Sequence, residues 1–261
     1  MLLQGKTAIV YGGSGAVGGA VARAFAREGA RVFVAARRRE PLDIVVEDIR
    51  AAGGTAEAVP VDATEQDAVE AHLMAIVERA GPVKLMFNAI DWGDTQGQVL
   101  TEMEFARMFR PVKTGLRTWF HTGTALARHM AQNGGGAIVG ITANAGVEAY
   151  SHTGGFSIAC AAVNHFLRQL AVENGPPGVR VCWVRSPGSP DSPGVRHAWQ
   201  LRADEWGMSF DEVHTEFAKG TPLRRVTALA QVADAAVLLA SDLAAGMTAT
   251  MANATGGAQL D

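Results

Sequence analysis

Residues 7–18 read Thr7-Ala8-Ile9-Val10-Tyr11-Gly12-Gly13-Ser14-Gly15-Ala16-Val17-Gly18. A short apolar run stops at paired glycines, and the recurrence Val17, Val21, Phe25, with Ala20 and Ala24 beside it, begins at once. The run predicts a buried strand, and the recurrence predicts one face of a helix ended by Gly29. Between them Gly13-Ser14-Gly15-Ala16-Val17-Gly18 fits G-x-G-x-x-G. A strand before and a helix after are the context in which that motif holds a dinucleotide pyrophosphate. Glycines let the backbone come close, and the helix start offers free amides and a partial positive charge. The alternative is a glycine-rich turn that only packs helix on sheet.

The same alternation continues outward. Strands are predicted at 31–36, 56–61, 84–88, 137–142, 179–184 and 249–253, with helices at 41–52, 102–130, 156–173 and 231–240. Thr64 is read as the cap of a further helix, and Pro111 as a break in the long one. Apolar strands alternating with helices imply an α/β fold: a doubly wound parallel sheet of about seven strands, Rossmann-type, with helices on both faces. No linker composition divides the chain, so residues 1–261 are read as a single domain. Residues 189–220, rich in Pro, Trp and His, interrupt the rhythm and are read as a helical substrate flap over the strand ends.

Composition narrows the function. Hydrophobic residues make up 48% and charged residues 19%, with a formal net charge of −3. That is globular, without the basic excess that holds nucleic acid. No stretch approaches a membrane span, and the start does not read as a signal peptide. A cytoplasmic protein without membrane or nucleic-acid partners is expected. Cys160 and Cys182 lie in apolar segments and are read as buried thiols, not a disulfide. His121, His129 and His165 lack metal-ligand spacing, so no metal is expected.

The turn after the second predicted strand reads Ala36-Arg37-Arg38-Arg39, with no Asp or Glu between Ala30 and Arg39. An acid there would hold the ribose 2′-hydroxyl of NAD, whereas Arg37 and Arg38 suit the 2′-phosphate of NADP. The expected cofactor is NADP(H).

Taken together, these features resemble a short-chain dehydrogenase/reductase over nearly the whole chain. The family's T-G-x-x-x-G-x-G falls on Tyr11 to Gly18, placing Gly12, Ser14, Gly15, Ala16 and Val17 at the pyrophosphate. Its adenine-contacting segment falls on Asp62 and Ala63. Its N-N-A-G falls on Phe87-Asn88-Ala89-Ile90, and its Pro-Gly turn beside the nicotinamide on Pro187 and Gly188. The resemblance also implies a homodimer or homotetramer, packed through the helices around 114–130 and 156–173. Ala161, Ala162, Phe166 and Leu170 suit that contact.

The departures bear on chemistry. The family's catalytic Tyr-x-x-x-Lys falls on Phe156-Ser157-Ile158-Ala159-Cys160, its serine on Ala143, and the asparagine of the preceding helix on Val112. In the phosphate loop Tyr11 replaces a Thr and Ala16 a Gly, and Ile90 replaces the last Gly of N-N-A-G. Phe156 has no proton to give, Cys160 no positive charge and Ala143 no hydroxyl. Loss of a general acid alone costs about 10²–10⁴ in rate, so standard carbonyl reduction is not expected. Glu148, Tyr150 and His152, between the lost serine and tyrosine, are expected along the pocket. Tyr150 and His152 are the candidate replacement proton carriers. Asp91, Trp92 and Asp94 follow the fourth strand, where they either shape the pocket or form a turn with a packed Trp.

Three functions fit. The first is an NADP(H)-dependent oxidoreductase with a non-standard proton source, or one reducing a bond that needs no strong acid. The second is a non-redox lyase, isomerase or cyclase acting on an apolar small molecule. The third is a non-catalytic cofactor- or metabolite-binding subunit.

Overall fold

The computed structural model describes residues 1–260, with the side chains of all but Leu201 and Glu205. Asp261, the last residue of the expected domain, lies outside the described residues. Seven strands form one parallel sheet in the order β3-β2-β1-β4-β5-β6-β7. They are β1 (Thr7–Tyr11), β2 (Arg31–Ala35), β3 (Thr55–Ala58), β4 (Val83–Asn88), β5 (Gly136–Ala143), β6 (Val179–Ser186) and β7 (Thr250–Asn253). Eight helices are interleaved with them: α1 (Ala16–Arg27), α2 (Arg39–Ala51), α3 (Gln66–Ala80), α4 (Phe105–Gln132), α5 (Gly155–Asn174), α6 (Pro193–Trp206), α7 (Phe210–Lys219) and α8 (Leu229–Ala240).

Each strand buries both faces because successive side chains point opposite ways. Ala8 and Val10 face a layer built from α1, α2 and α8. Ile9 and Tyr11 face one built from α3, α4 and α5. The strand order reverses between β1 and β4, which opens a crevice at their carboxyl ends, where ligands of such sheets bind.

Three local expectations are corrected. The third strand ends at Ala58, not Val61; beyond it the chain continues beside β2 only through the Val59 and Val61 amides, which donate to Val34 and Ala36. Thr64 does not cap α3: Asp62 takes both its amide and its hydroxyl, and Glu65 is the N-cap. Pro111 does not break the long helix. It removes one backbone bond, yet α5 packs tightly at that point. A Cβ on Gly155 would stand 1.8 Å from the Met108 carbonyl oxygen and 2.9 Å from Pro111.

Residues 189–220 form α6 and α7, hinged at Gly207 with φ +64°. Ser209 and Glu212 close a reciprocal capping box at the start of α7. Trp199 holds the pair together, its ring centroid 4.5 Å from that of Phe217. Cys160 and Cys182 are both free and buried.

Candidate active site

The glycine loop is fixed by packing. Gly12 has φ +72°, and a Cβ there would lie 2.3 Å from the Ala89 carbonyl oxygen. On Gly18 it would lie 2.2 Å from the Gly12 oxygen, and on Gly13 2.3 Å from Val34. These glycines are therefore required whether or not a ligand binds. What packing leaves open is the start of α1. Its N-cap, Gly15, supplies no side-chain cap, and its first turn holds no acid. The amides of that turn have no intrahelical acceptors, and Ser14 and Gly15 are exposed beside them. Such an end fits an anion.

Arg37 and Arg38 are exposed at the carboxyl end of β2, and Arg38 is the N-cap of α2. Neither joins an ion pair among the described residues. Arg37 is near enough to Asp62 for its charge to help lower that carboxylate's pKa, behind the larger effect of the two Thr64 hydrogen bonds. Two uncommitted guanidinium groups beside an acid-free strand end fit a phosphate monoester. The residues present therefore fit NADP(H).

Asn88 is committed to the protein itself. Its amide donates to Thr122 and its oxygen accepts the Ile90 N–H, both at 3.0 Å. Ala89 in turn donates to the Tyr11 carbonyl. Asn88 thus shapes the loop after β4 and offers a ligand the surface of Ala89 and Ile90.

A cavity of about 220 Å³ opens from that loop across the carboxyl ends of β4, β5 and β6. The phosphate-loop helix reaches it through Val17, and β4 and its loop through Asn88, Ala89, Ile90, Asp91, Trp92 and Asp94. Strand β5 contributes Ile141, Thr142 and Ala143; α5 contributes Phe156 and Cys160; and Ser186, Gly188, Ser189, Ser192, Val195 and Leu229 close the far side. Thus Ala143, Phe156 and Cys160 meet in one place, as the resemblance implies. Val112 does not line the cavity and belongs to the core under the sheet. Pro187 precedes Gly188 on the rim but is not itself part of the lining.

The expected proton carriers lie elsewhere. Neither Tyr150 nor His152 lines the cavity. The Tyr150 phenol donates to Glu148 at 2.6 Å, and burial together with that carboxylate pushes its pKa up to about 12. His152, at φ +63°, pairs with Ser151 and is exposed. The His152 carbonyl accepts the Gly97 amide, and Gly154, at φ +52°, leads the chain into α5. The Cys160 thiol is pushed up to about 12, mainly by burial, so it is a poor nucleophile. Tyr11 turns away from the cavity as well: it is buried against His72 of α3, the rings 5.6 Å apart.

Sequence reasoning missed the hydroxyl groups. Thr142 and Ser189 are 5% and 2% exposed, and neither hydroxyl oxygen has a partner, nor does the Trp92 indole N–H. Thr142 could have been found from its place at the end of a strand. Ser189 carries no signal of its own. Among the lining residues the titratable groups are Asp91, Asp94 and Cys160, with no Lys, Arg or His. Among the described residues no cluster suits a metal, and no helix is long and apolar enough to cross a membrane. His129 accepts the Val83 amide, and His121 contacts the Ala63 carbonyl.

Comparison with known proteins agrees with this architecture. The family model described as enoyl-(acyl carrier protein) reductase matches residues 13–259. The 7alpha-hydroxysteroid dehydrogenase of Escherichia coli is 27% identical over 98% of this chain and 94% of its own. The uncharacterized oxidoreductase YxbG of Bacillus subtilis is 28% identical, covering 98% and 91%. The crystal structure of actinorhodin polyketide ketoreductase with NADPH superposes with a TM-score of 0.87 at 28% identity, covering 97% of each chain. The chain belongs to the short-chain dehydrogenase/reductase family.

Proposed function

We propose that the protein is an NADP(H)-dependent oxidoreductase whose proton source is not the family's Tyr-Lys pair. One observation carries this: the cavity runs from the open start of α1 past Ala89 and Ile90 to Phe156, Ala143 and Cys160, with no acid at the last three. When bound, a reduced nicotinamide supplies hydride at that place. The chain's own residues do the rest. Amides of Ser14, Gly15, Ala16 and Val17 hold the pyrophosphate, while Arg37 and Arg38 hold the 2′-phosphate. Asp62 and Ala63 flank the adenine, and Asn88, through Ala89 and Ile90, together with Pro187 and Gly188 frames the nicotinamide. Trp92, Phe156 and Val195 exclude water from a small apolar substrate. NADPH-bound ketoreductase among the similar structures supports the cofactor. A homo-oligomer built on α4 and α5 is part of the same reading.

Calorimetric titration tests it. NADPH should bind at least about tenfold more tightly than NADH, since two charge-assisted contacts are at stake. Arg37→Ala with Arg38→Ala should abolish that preference and leave NADH unchanged. Equal affinities in the unaltered protein would overturn the assignment. Tight NADPH binding without hydride transfer to any aldehyde, ketone or imine would instead favour a cofactor-binding subunit.

A further inference from the structure

The charge of the cavity is one-sided. Asp91 and Asp94 are its charged side chains, and no cation among the lining residues balances them. The Asp91 carboxylate accepts only the Gly93 amide at 2.9 Å, and that of Asp94 accepts the Gln96 side-chain amide. Arg110 holds the Gly93 and Asp94 carbonyls of the same turn but lies outside the lining, so its charge offsets the acids only in part. Neither carboxylate forms an ion pair among the described residues. Burial pushes Asp94's pKa up against the pull of hydrogen bonds from Gln96 and Thr95, and the Asp91 charge adds to the rise. A carboxylate in this condition gains from any cation that enters.

Aromatic faces stand beside the acids. Trp92 and Phe156 lie with ring centroids 6.4 Å apart, tilted by 38°. One side of the indole is covered by Gly115, where a Cβ would come within 3.1 Å. The indole is thereby clamped between α4 and the cavity. Two acids, two aromatic rings and no basic group form the chemistry that recognises an organic ammonium. Independently, the buried, unpartnered hydroxyls of Thr142 and Ser189 and the unpartnered Trp92 N–H mark the space as one built for a ligand.

We propose that this cavity takes an apolar organic cation, and that the reaction, resting on the oxidoreductase reading above, reduces an iminium ion to its amine. The balance agrees with the residues. Hydride adds to the iminium carbon and forms a C–H bond. The C=N π pair becomes the nitrogen lone pair, and NADPH becomes NADP⁺. No proton enters the step, so the absence of an acid at Phe156 costs nothing. A ketone in the same place would leave an alkoxide that Phe156, Ala143 and Cys160 could not protonate.

The test has two arms. Calorimetry on the cofactor-free protein compares benzyltrimethylammonium with neopentylbenzene, its neutral isostere. The ammonium should bind about tenfold more tightly, the scale of a partly desolvated cation–π contact. Asp91→Asn and Asp94→Asn, both on an exposed turn, should each weaken it by about threefold or more and leave the hydrocarbon unchanged. Equal binding of the two probes, or indifference to both substitutions, overturns the proposal. The second arm follows NADPH oxidation with N-methyl-3,4-dihydroisoquinolinium against 1-tetralone. Iminium turnover without ketone turnover supports the proposal. The reverse overturns it while leaving the oxidoreductase reading intact. Selective ammonium binding by a chain that does not bind NADPH rejects that reading and keeps the cation site.

Discussion

His72 and Tyr11 form a polar pair under the sheet that no part of the active site uses, and it makes stability depend on pH. His72 is 6% exposed on the inner face of α3. Its Nδ1 lies 3.4 Å from the Tyr11 hydroxyl, and its Nε2 has no partner. Burial lowers its pKa to about 4, helped by the Arg79 charge. The Val59 backbone opposes this without meeting hydrogen-bond geometry at Nε2. In the unfolded chain the imidazole titrates near its ordinary value of about 6.5. Between those limits the unfolded state binds a proton that the folded state refuses. Stability is therefore fully present above about pH 6.5 and falls as the pH drops toward about 4. A gap of about two and a half pH units, at about 1.4 kcal/mol each, amounts to roughly 3 kcal/mol in total, of which about 2 kcal/mol is lost by pH 5. Urea unfolding at pH 7.5 and pH 5.0, compared with His72→Gln, isolates the contribution. The glutamine variant should lose about 2 kcal/mol less than the unaltered protein over that interval. Parallel losses in the two proteins would show that His72 accepts its proton in the folded state and would refute the reasoning.

Four further outcomes are expected. Cys182 should react with a thiol reagent only at the rate of unfolding, because it is buried and burial raises the thiol; rapid labelling of it in the native protein would contradict this. Ala16→Gly should tighten NADPH binding by letting the phosphate approach the helix start, at about 1 kcal/mol in thermal or urea stability; unchanged affinity would place the phosphate elsewhere. Ala143→Ser with Phe156→Tyr and Cys160→Lys should still give turnover of 1-tetralone well below the usual range of about 1–10³ s⁻¹, since Val112 stays apolar and Asp94 lies near enough to Cys160 to draw the new ammonium away from the phenol. Light scattering at micromolar concentration should show a dimer or tetramer, because α4 and α5 expose Phe109, Phe120 and Ile158 at 41%, 52% and 41%; a monomer would leave those faces unexplained.

The sheet was legible because its evidence is local. Continuous apolar runs fix strands, and the glycines at 12, 13 and 18 mark places where backbones nearly touch. Of the residues expected at a subunit contact, Phe166 is half-buried and Ala161 exposed, whereas Leu170 packs inward against Gly123. The site was less readable. Asp91, Trp92 and Asp94 were marked by their place after a strand, and all three line the cavity. Tyr150 and His152 were marked by their place between positions 143 and 156, which does not say which way a loop turns; neither lines the cavity. His72 and Tyr11 are 61 residues apart, and nothing local to either reports the other. Nor does any local signal show that Ser189 meets the end of β5.

The missing lysine and the uncompensated carboxylates are one electrostatic fact. A lysine at position 160 would stand within reach of the Asp94 charge, which already acts on the Cys160 thiol. With that ammonium present, the Asp94 charge would be neutralised and the cavity would lose its preference for a cation. With a neutral thiol there, no cation among the lining residues opposes Asp91 and Asp94, and Phe156 offers Trp92 a second ring instead of a hydroxyl. Each change alone would leave a defective carbonyl reductase: a phenol without a cation to lower its pKa, or a cation without a phenol to act on. Together they reverse the sign of the charge that the cavity prefers. An iminium substrate would also need no proton from positions 143, 156 and 160, so under the proposed reading the missing acid and the cation site have one origin.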